Sequence, residues 1–256
     1  MTVKTANPAI ADRLNGSETV VGTWVKTPSP IVCEVLCRTG LDLLVLDAEH
    51  APFGRMELDS CIAIGRALGK PVFVRVPDAG AATILNALDC GADGILIPHV
   101  ITAEDASRAV RLAHHGPGGR GYAGSTRAAE FGGRPMLEQL RRAREHTVVI
   151  AQIEDAEAVE HVQEVAAVQG LAAIFIGRVD LTVSLGKTSL DDPVVIQSID
   201  RIVRAARGRQ IPVGMFLANP EEIPHWRSQG VGFFVLGSDH GFLQSGAKSL
   251  MQMFDR

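Results

Sequence analysis

Short runs of Val, Ile, Leu and Phe recur along the whole chain, separated by stretches whose apolar residues return every three or four positions. In order, the runs are TVVGTWVK, LDLLVLDAE, PVFVRVP, GILIPHV, TVVIAQIE, LAAIFIGRVD, IPVGMFLA and GFFVLGSDHG. Most are nearly continuous apolar runs rather than clean alternations, as expected of parallel strands covered on both faces. Between them, PFGRMELDSCIAIGRALG carries Met56, Leu58, Ile62, Ile64 and Leu68 at helical spacing and stops at Gly69. TAEDASRAVRLAHHG opens on Thr102 as an N-cap with Asp105 three residues on. DDPVVIQSIDRIVRAARG and NPEEIPHWRSQG follow the same plan, each with an early Pro and a terminal Gly. Eight strands alternating with about eight helices, in a chain near the roughly 250 residues usual for it, predict a single-domain α/β (β/α)8 TIM barrel over 1–256. The alternative is a doubly wound open sheet, because strand count does not establish closure. The final segment reads as a terminal helix over about 240–254, and HHGPGGRGYAGSTRAAEFGGRP as a long Gly-rich loop of functional or interface type.

Composition narrows the function classes. The formal charge is −4 with no dense Lys/Arg block, which argues against a nucleic-acid surface. The four cysteines (Cys33, Cys37, Cys61, Cys90) form no CxxC pair and are read as packing residues. Neither a signal-peptide core nor a bilayer-length apolar segment is present, so a cytoplasmic protein without membrane partners is expected.

In such a barrel the site lies at the C-terminal ends of the strands. Those ends supply Asp47, Glu49, His50, Arg75, His99, Gln152, Glu154, Asp180, Asn219, Ser238, Asp239 and His240. In VIAQIED, Gln152 and Glu154 are one residue apart and share a strand face, which places an amide and a carboxylate side by side at the end of an apolar strand. Glu154 and Asp180, from neighbouring strands, suit a hard divalent cation. The alternative is a Glu154–Arg ion pair with Asp180 capping a helix. Arg75 requires either a carboxylate partner or an anionic ligand. His50, after two acids, suits proton transfer, and Asp47 or Glu49 could equally hold its ring. GRVDLTVSLG reads as a strand-to-loop turn whose backbone N–H groups would cradle a carboxylate. His114, His115, His161 and His225 are read as solvent-facing.

Taken together, LDAEHAPFG, VRVP, ILIPHV, GGRGYAG, AQIED and FIGRVDLTVSLG resemble the HpcH/HpaI aldolase family of metal-dependent 2-oxo acid aldolases, from about Gly22 to the C-terminus. The resemblance implies a class II pyruvate aldolase of the 4-hydroxy-2-oxoheptanedioate aldolase type. Such an enzyme makes or cleaves a carbon–carbon bond between pyruvate, or hydroxypyruvate, and an aldehyde through a metal-stabilised enolate. It also implies Glu154 and Asp180 as ligands of Mg²⁺ or Mn²⁺ (Co²⁺ is possible), with Gln152, Val179, Asp180 and Arg75 contacting substrate. His50 would be the proton acceptor, Arg75 the oxyanion stabiliser, and Asp89 the acid that raises the basicity of His50. A homo-oligomer, hexamer or trimer, is implied, with the terminal helix on a neighbouring subunit. The chain departs from the family pattern at Arg178 and Val179, where Pro-Ala or Pro-Ser is usual, and at His99, where Met or Phe is usual.

Two other readings compete. A Schiff-base aldolase needs a site lysine, and among Lys4, Lys26, Lys70, Lys187 and Lys248 only Lys26 closes a strand. A phosphosugar barrel would use GSDHG at the eighth strand as its phosphate site.

Overall fold

A computed structural model describes residues 10–254. Eight parallel strands form it: β1 (Val20–Val25), β2 (Leu43–Asp47), β3 (Val72–Arg75), β4 (Gly94–Ile97), β5 (Val148–Ile153), β6 (Ala173–Ile176), β7 (Val213–Leu217) and β8 (Phe233–Ser238). They pair in sequence order, and β8 returns to β1 with Val20 opposite Phe233, so the sheet closes. Closure excludes the open-sheet alternative and gives a (β/α)8 barrel.

Two apolar layers follow from strand alternation. One face of each strand packs outward against the helices, a layer that includes Leu44, Leu46, Val74, Ile95, Ile174 and Met215. The other face fills the barrel with Trp24, Leu43, Val45, Phe73, Ile150, Phe175, Phe233 and Val235. Phe73 and Phe175 each meet Phe233, with centroids 6.4 and 5.7 Å apart, and Trp24 meets Phe175 edge-on. Room for these rings comes from Gly94 and Gly214. A Cβ on Gly94 would lie 2.9 Å from the Phe73 ring, and one on Gly214 would lie 2.4 Å from Phe233.

The short helix Ile10–Leu14, too brief to show a helical period, adds Ile10 and Leu14 to the interior layer. Arg13 ties it to Asp42, just before β2, at 2.7 Å. At the other end of the chain, Ser238 caps helix Asp239–Gln252 by accepting from the Gly241 N–H. The Gly-rich loop is ordered by ion pairs to the helices beneath it: Arg120 to Asp89 at 2.6 Å and Arg127 to Asp59. It contains a short 3-10 segment, Arg127–Gly132.

GRVDLTVSLG departs from the expected turn. Residues Arg178–Ser184 form a helix with Gly177 at its N-cap. The β-branched residues Val179, Thr182 and Val183 weaken the helical signal in sequence. In the helix, the Thr182 hydroxyl bonds the Arg178 carbonyl at 2.7 Å.

Candidate active site

The polar site is the upward continuation of the barrel's interior face. Leu43 and Val45 point inward, so by the same two-residue step Asp47 does too. Phe73 leads in this way to Arg75, Val148 and Ile150 to Gln152, and Phe175 to Gly177. Apolar residues fill the lower layers, and polar ones crown them at the strands' C-terminal ends.

Asp47 and Arg75 are register partners on β2 and β3 and bond through two parallel contacts, 2.9 Å from Nε and 2.8 Å from Nη2. Lys26 adds a third bond to Asp47 at 2.6 Å. Burial alone would raise the Asp47 pKa, but Arg75 and Lys26 outweigh it and hold the carboxyl at about 2. The Arg75 guanidinium lies 4.3 Å from the Trp24 ring centroid, a cation–π contact at the floor of the site. Its Nε is also 3.2 Å from Glu49 Oε2. That N–H is directed at Asp47, so Glu49 Oε2 gains attraction without a hydrogen bond and stays buried without a partner. Arg75 therefore does carry the carboxylate pairing expected as one alternative. Its Nη1 has no protein partner among the described residues.

Glu154 is 2 % exposed. Burial pushes its pKa up, opposed by bonds from the Gln152 amide and from the His99 backbone N–H, the latter at 2.9 Å. The Gln152 Oε1 is itself buried with no partner. Gly177 makes the space for this carboxylate, since a Cβ there would lie 2.6 Å from Glu154 Oε2. Donor atoms of Glu49, His99 and Glu154 all lie within 4.8 Å of one another. Two carboxylates and an imidazole converging on one point form a donor set that fits a divalent cation.

The other expected residues distribute as follows. His50 is half exposed, with its backbone N–H bonded to Asp47 at 3.2 Å and its Nε2 3.6 Å from Glu49 Oε2. Glu49, rather than Asp89, is the acid beside it. Asp89 ends helix Ala81–Asp89 and is bonded by both Nε and Nη2 of Arg120. That helix ends just before β4 begins, on the rim opposite the site. Asp180 and Val179 are exposed in the first turn of helix Arg178–Ser184, next to Gly177. Arg178 is buried, and its guanidinium is spent on Glu222 at 2.6 Å and Asp191 at 2.8 Å. Asp239 is buried and accepts the Lys26 and Thr27 N–H groups, each at 2.8 Å. Of the four histidines read as solvent-facing, His161 and His225 are exposed, while His114 and His115 are half-buried.

The bond of Lys26 to Asp47, the stacking of Trp24 on Arg75, and the convergence of Glu49 and His99 on Glu154 are the features that the sequence did not indicate. Glu49 lies in the turn just after β2 ends at Asp47, beyond the reach of the strand's two-residue period.

A model of the HpcH/HpaI aldolase/citrate lyase family matches residues 21–245. The chain belongs to the HpcH/HpaI aldolase/citrate lyase family. It is accordingly an enzyme of the aldolase type. Within the family it is 32 % identical over 255 residues to the hydroxypyruvate/pyruvate aldolase of Paraburkholderia phytofirmans, with 96 % of each chain covered. It is 34 % identical over 246 residues to the 5-keto-4-deoxy-D-glucarate aldolase of Salmonella arizonae, with 95 % of each covered. The crystal structure of a family protein from Burkholderia cenocepacia J2315 superposes with a TM-score of 0.91 at 32 % identity, covering 95 % of this chain and 98 % of that one. Among the described residues no helix is long and apolar enough to cross a membrane.

Proposed function

We propose that this chain is a metal-dependent class II aldolase acting on 4-hydroxy-2-oxo acids, joining or releasing pyruvate, or hydroxypyruvate, and an aldehyde. The observation that carries the reading is Glu154, a buried carboxylate with no Lys or Arg paired to it among the described residues, gathered with Glu49 and His99 about one point. A buried anion left without a counter-charge is costly, and a divalent ion removes that cost.

Glu154 and Asp180 are the proposed ligands; Asp180 stands, exposed, in the first turn of the helix whose N-cap, Gly177, adjoins the Glu154 carboxylate. Mg²⁺, Mn²⁺ or Co²⁺ suits such a set. A divalent cation bound there supplies Lewis-acid stabilisation of charge developing on the keto acid, typically several kcal/mol. Gln152 fixes the Glu154 carboxylate through its amide N–H and offers its Oε1 to a substrate donor. The backbone at Val179 contacts the substrate carboxylate.

In the cleavage direction His50, directly or through a water, takes the proton of the aldol hydroxyl. The carbon–carbon bond then breaks to release the aldehyde, its electron pair passes to the keto acid as an enolate, and a proton delivered to the enolate carbon from His50 or from water gives the free keto acid. Arg75 Nη1 donates to the enolate oxygen, while Asp47 and Trp24 fix the guanidinium so that little reorganisation is needed. The half exposure of His50 suits a group that exchanges its proton with solvent between turnovers. Glu49 orients the ring, and Asp89 serves the Arg120 loop.

The rival chemistries fit less well. A Schiff-base lysine must lose its proton to attack a carbonyl. Lys26 instead has its Nζ engaged by the buried Asp47 carboxylate at 2.6 Å, alongside Arg75. A phosphate at GSDHG would meet the buried Asp239 carboxylate, which already occupies the backbone donors of Lys26 and Thr27.

Removal of divalent metal with EDTA is expected to abolish cleavage of 4-hydroxy-2-oxo acids, and added Mn²⁺ or Mg²⁺ to restore it. Glu154→Gln should lose metal binding and turnover together. Full activity after chelation, with borohydride trapping a substrate adduct on Lys26, would count decisively for the lysine route.

A further inference from the structure

We propose that His99, oriented by Asp155, is a third metal donor that tilts this site toward Mn²⁺ and Co²⁺ and away from Mg²⁺. This rests on the cation site proposed above and names the residue that sets its selectivity.

The backbone gives the first indication. His99 has φ of 52°, in the left-handed region that non-glycine residues seldom enter. Strain of this kind persists where surrounding contacts enforce it, and it gathers at functional sites. Here the strained turn aims the His99 N–H at Glu154 Oε1 at 2.9 Å and sets the ring Nδ1 3.6 Å from the same oxygen.

The side chain gives the second. His99 Nδ1 lies 3.0 Å from Asp155 Oδ2. An ionised carboxylate only accepts, so Nδ1 carries the hydrogen and Nε2 keeps its lone pair in the neutral ring. Nε2 faces Glu49 Oε1 at 3.8 Å, too long for a hydrogen bond. Metal-bound histidines characteristically donate the other ring N–H to a carboxylate in this way, which fixes the tautomer and raises the basicity of the ligating nitrogen. Asp155 stands next to Glu154 in the chain, so one strand end supplies both a ligand and the group that orients a second.

The metal preference follows from the donor chemistry. Mg²⁺ binds through one or two carboxylates and keeps several waters. Imidazole nitrogen is a softer donor that favours the later divalent ions, in the order Mn²⁺ below Co²⁺. A carboxylate site that adds one well-oriented imidazole gains affinity for Co²⁺ and Mn²⁺ with little gain for Mg²⁺. Met or Phe, which the family resemblance makes usual at this position, provides no such nitrogen.

Calorimetric titration of the metal-free protein with CoCl₂ and with MgCl₂ tests the assignment. His99→Asn keeps the left-handed backbone, which Asn tolerates, and removes the imidazole. Its preference for Co²⁺ over Mg²⁺, as the ratio of the two dissociation constants, should fall by about tenfold or more, and Asp155→Asn should weaken Co²⁺ binding by about tenfold. The visible spectrum of bound Co²⁺ should shift in His99→Asn as a nitrogen donor is lost. A smaller change in the ratio, or an unaltered Co²⁺ spectrum, overturns the role of His99. If Glu154→Gln abolishes binding of both ions in that case, the cation site stands and only its selectivity device is refuted. Wild-type Co²⁺ binding that Glu154→Gln leaves intact overturns both.

Discussion

Asp47 is a fully buried acid held between Arg75 and Lys26, and its energetics depend on that pairing. Its folded pKa of about 2 lies below the ordinary 3.8, so the folded state binds the proton less readily than the unfolded chain. The resulting stabilisation, about 2 kcal/mol, is fully present above pH 3.8 and is lost as pH falls through about 2. Asp47→Asn should therefore lower stability at neutral pH while flattening its loss between those two pH values, as read by urea unfolding midpoints. An unchanged acid limb in the variant would contradict the pairing. Sequence already marked Asp47, Arg75 and Glu154 as a convergent polar rim. It left Arg75 with two alternative partners, and the structure chooses a carboxylate while Nη1 has no protein partner among the described residues. Asp89, to which the resemblance assigns a role beside His50, is bonded within the chain to Arg120 at the end of the helix that precedes β4.

At the scale of elements, the strands were legible because continuous apolar runs leave few alternatives, and all eight appear within the quoted segments. Two helices were not. Ile10–Leu14 spans barely more than one turn, and Arg178–Ser184 is rich in β-branched residues. The second omission concerns the site directly, because that helix carries Asp180 and its N-cap Gly177 is what admits Glu154. Gly177→Ala should fold normally but push the Glu154 carboxylate from its seat, since the new methyl would meet Oε2 at 2.6 Å. Mn²⁺ affinity should drop by about tenfold, the range found when the support of a ligand is disturbed. Affinity equal to wild type, measured by calorimetry, would show that the close approach of Gly177 is incidental.

For the whole molecule, the terminal helix Asp239–Gln252 is weakly embedded. Phe242, Leu243, Leu250 and Met251 are exposed along it, as are Met253 and Phe254 just beyond, while only Asp239 of its residues is buried. Large apolar side chains exposed in such number on one helix are usual where a protein contact covers them. This exposure supports the expectation that this helix packs on another copy of the chain in a trimer or hexamer. Light scattering should give a mass of at least three chains, and Leu243→Glu should lower it; a single-chain mass for wild type would refute the expectation. Barrel closure, predicted from eight alternating strands and helices in a chain of this length, is established by the pairing of β8 with β1, which excludes the open-sheet alternative.

Central to the account is a divalent cation that is held by Glu154 and would take the oxygens of a bound keto acid as further ligands. Crystals soaked in MnCl₂ and pyruvate, measured near the manganese absorption edge, test that most directly. The account predicts one anomalous peak within bonding distance of a Glu154 oxygen, with pyruvate density beside it. Peaks confined to other acidic residues, with Glu154 bonded only to Gln152 and His99, would contradict it.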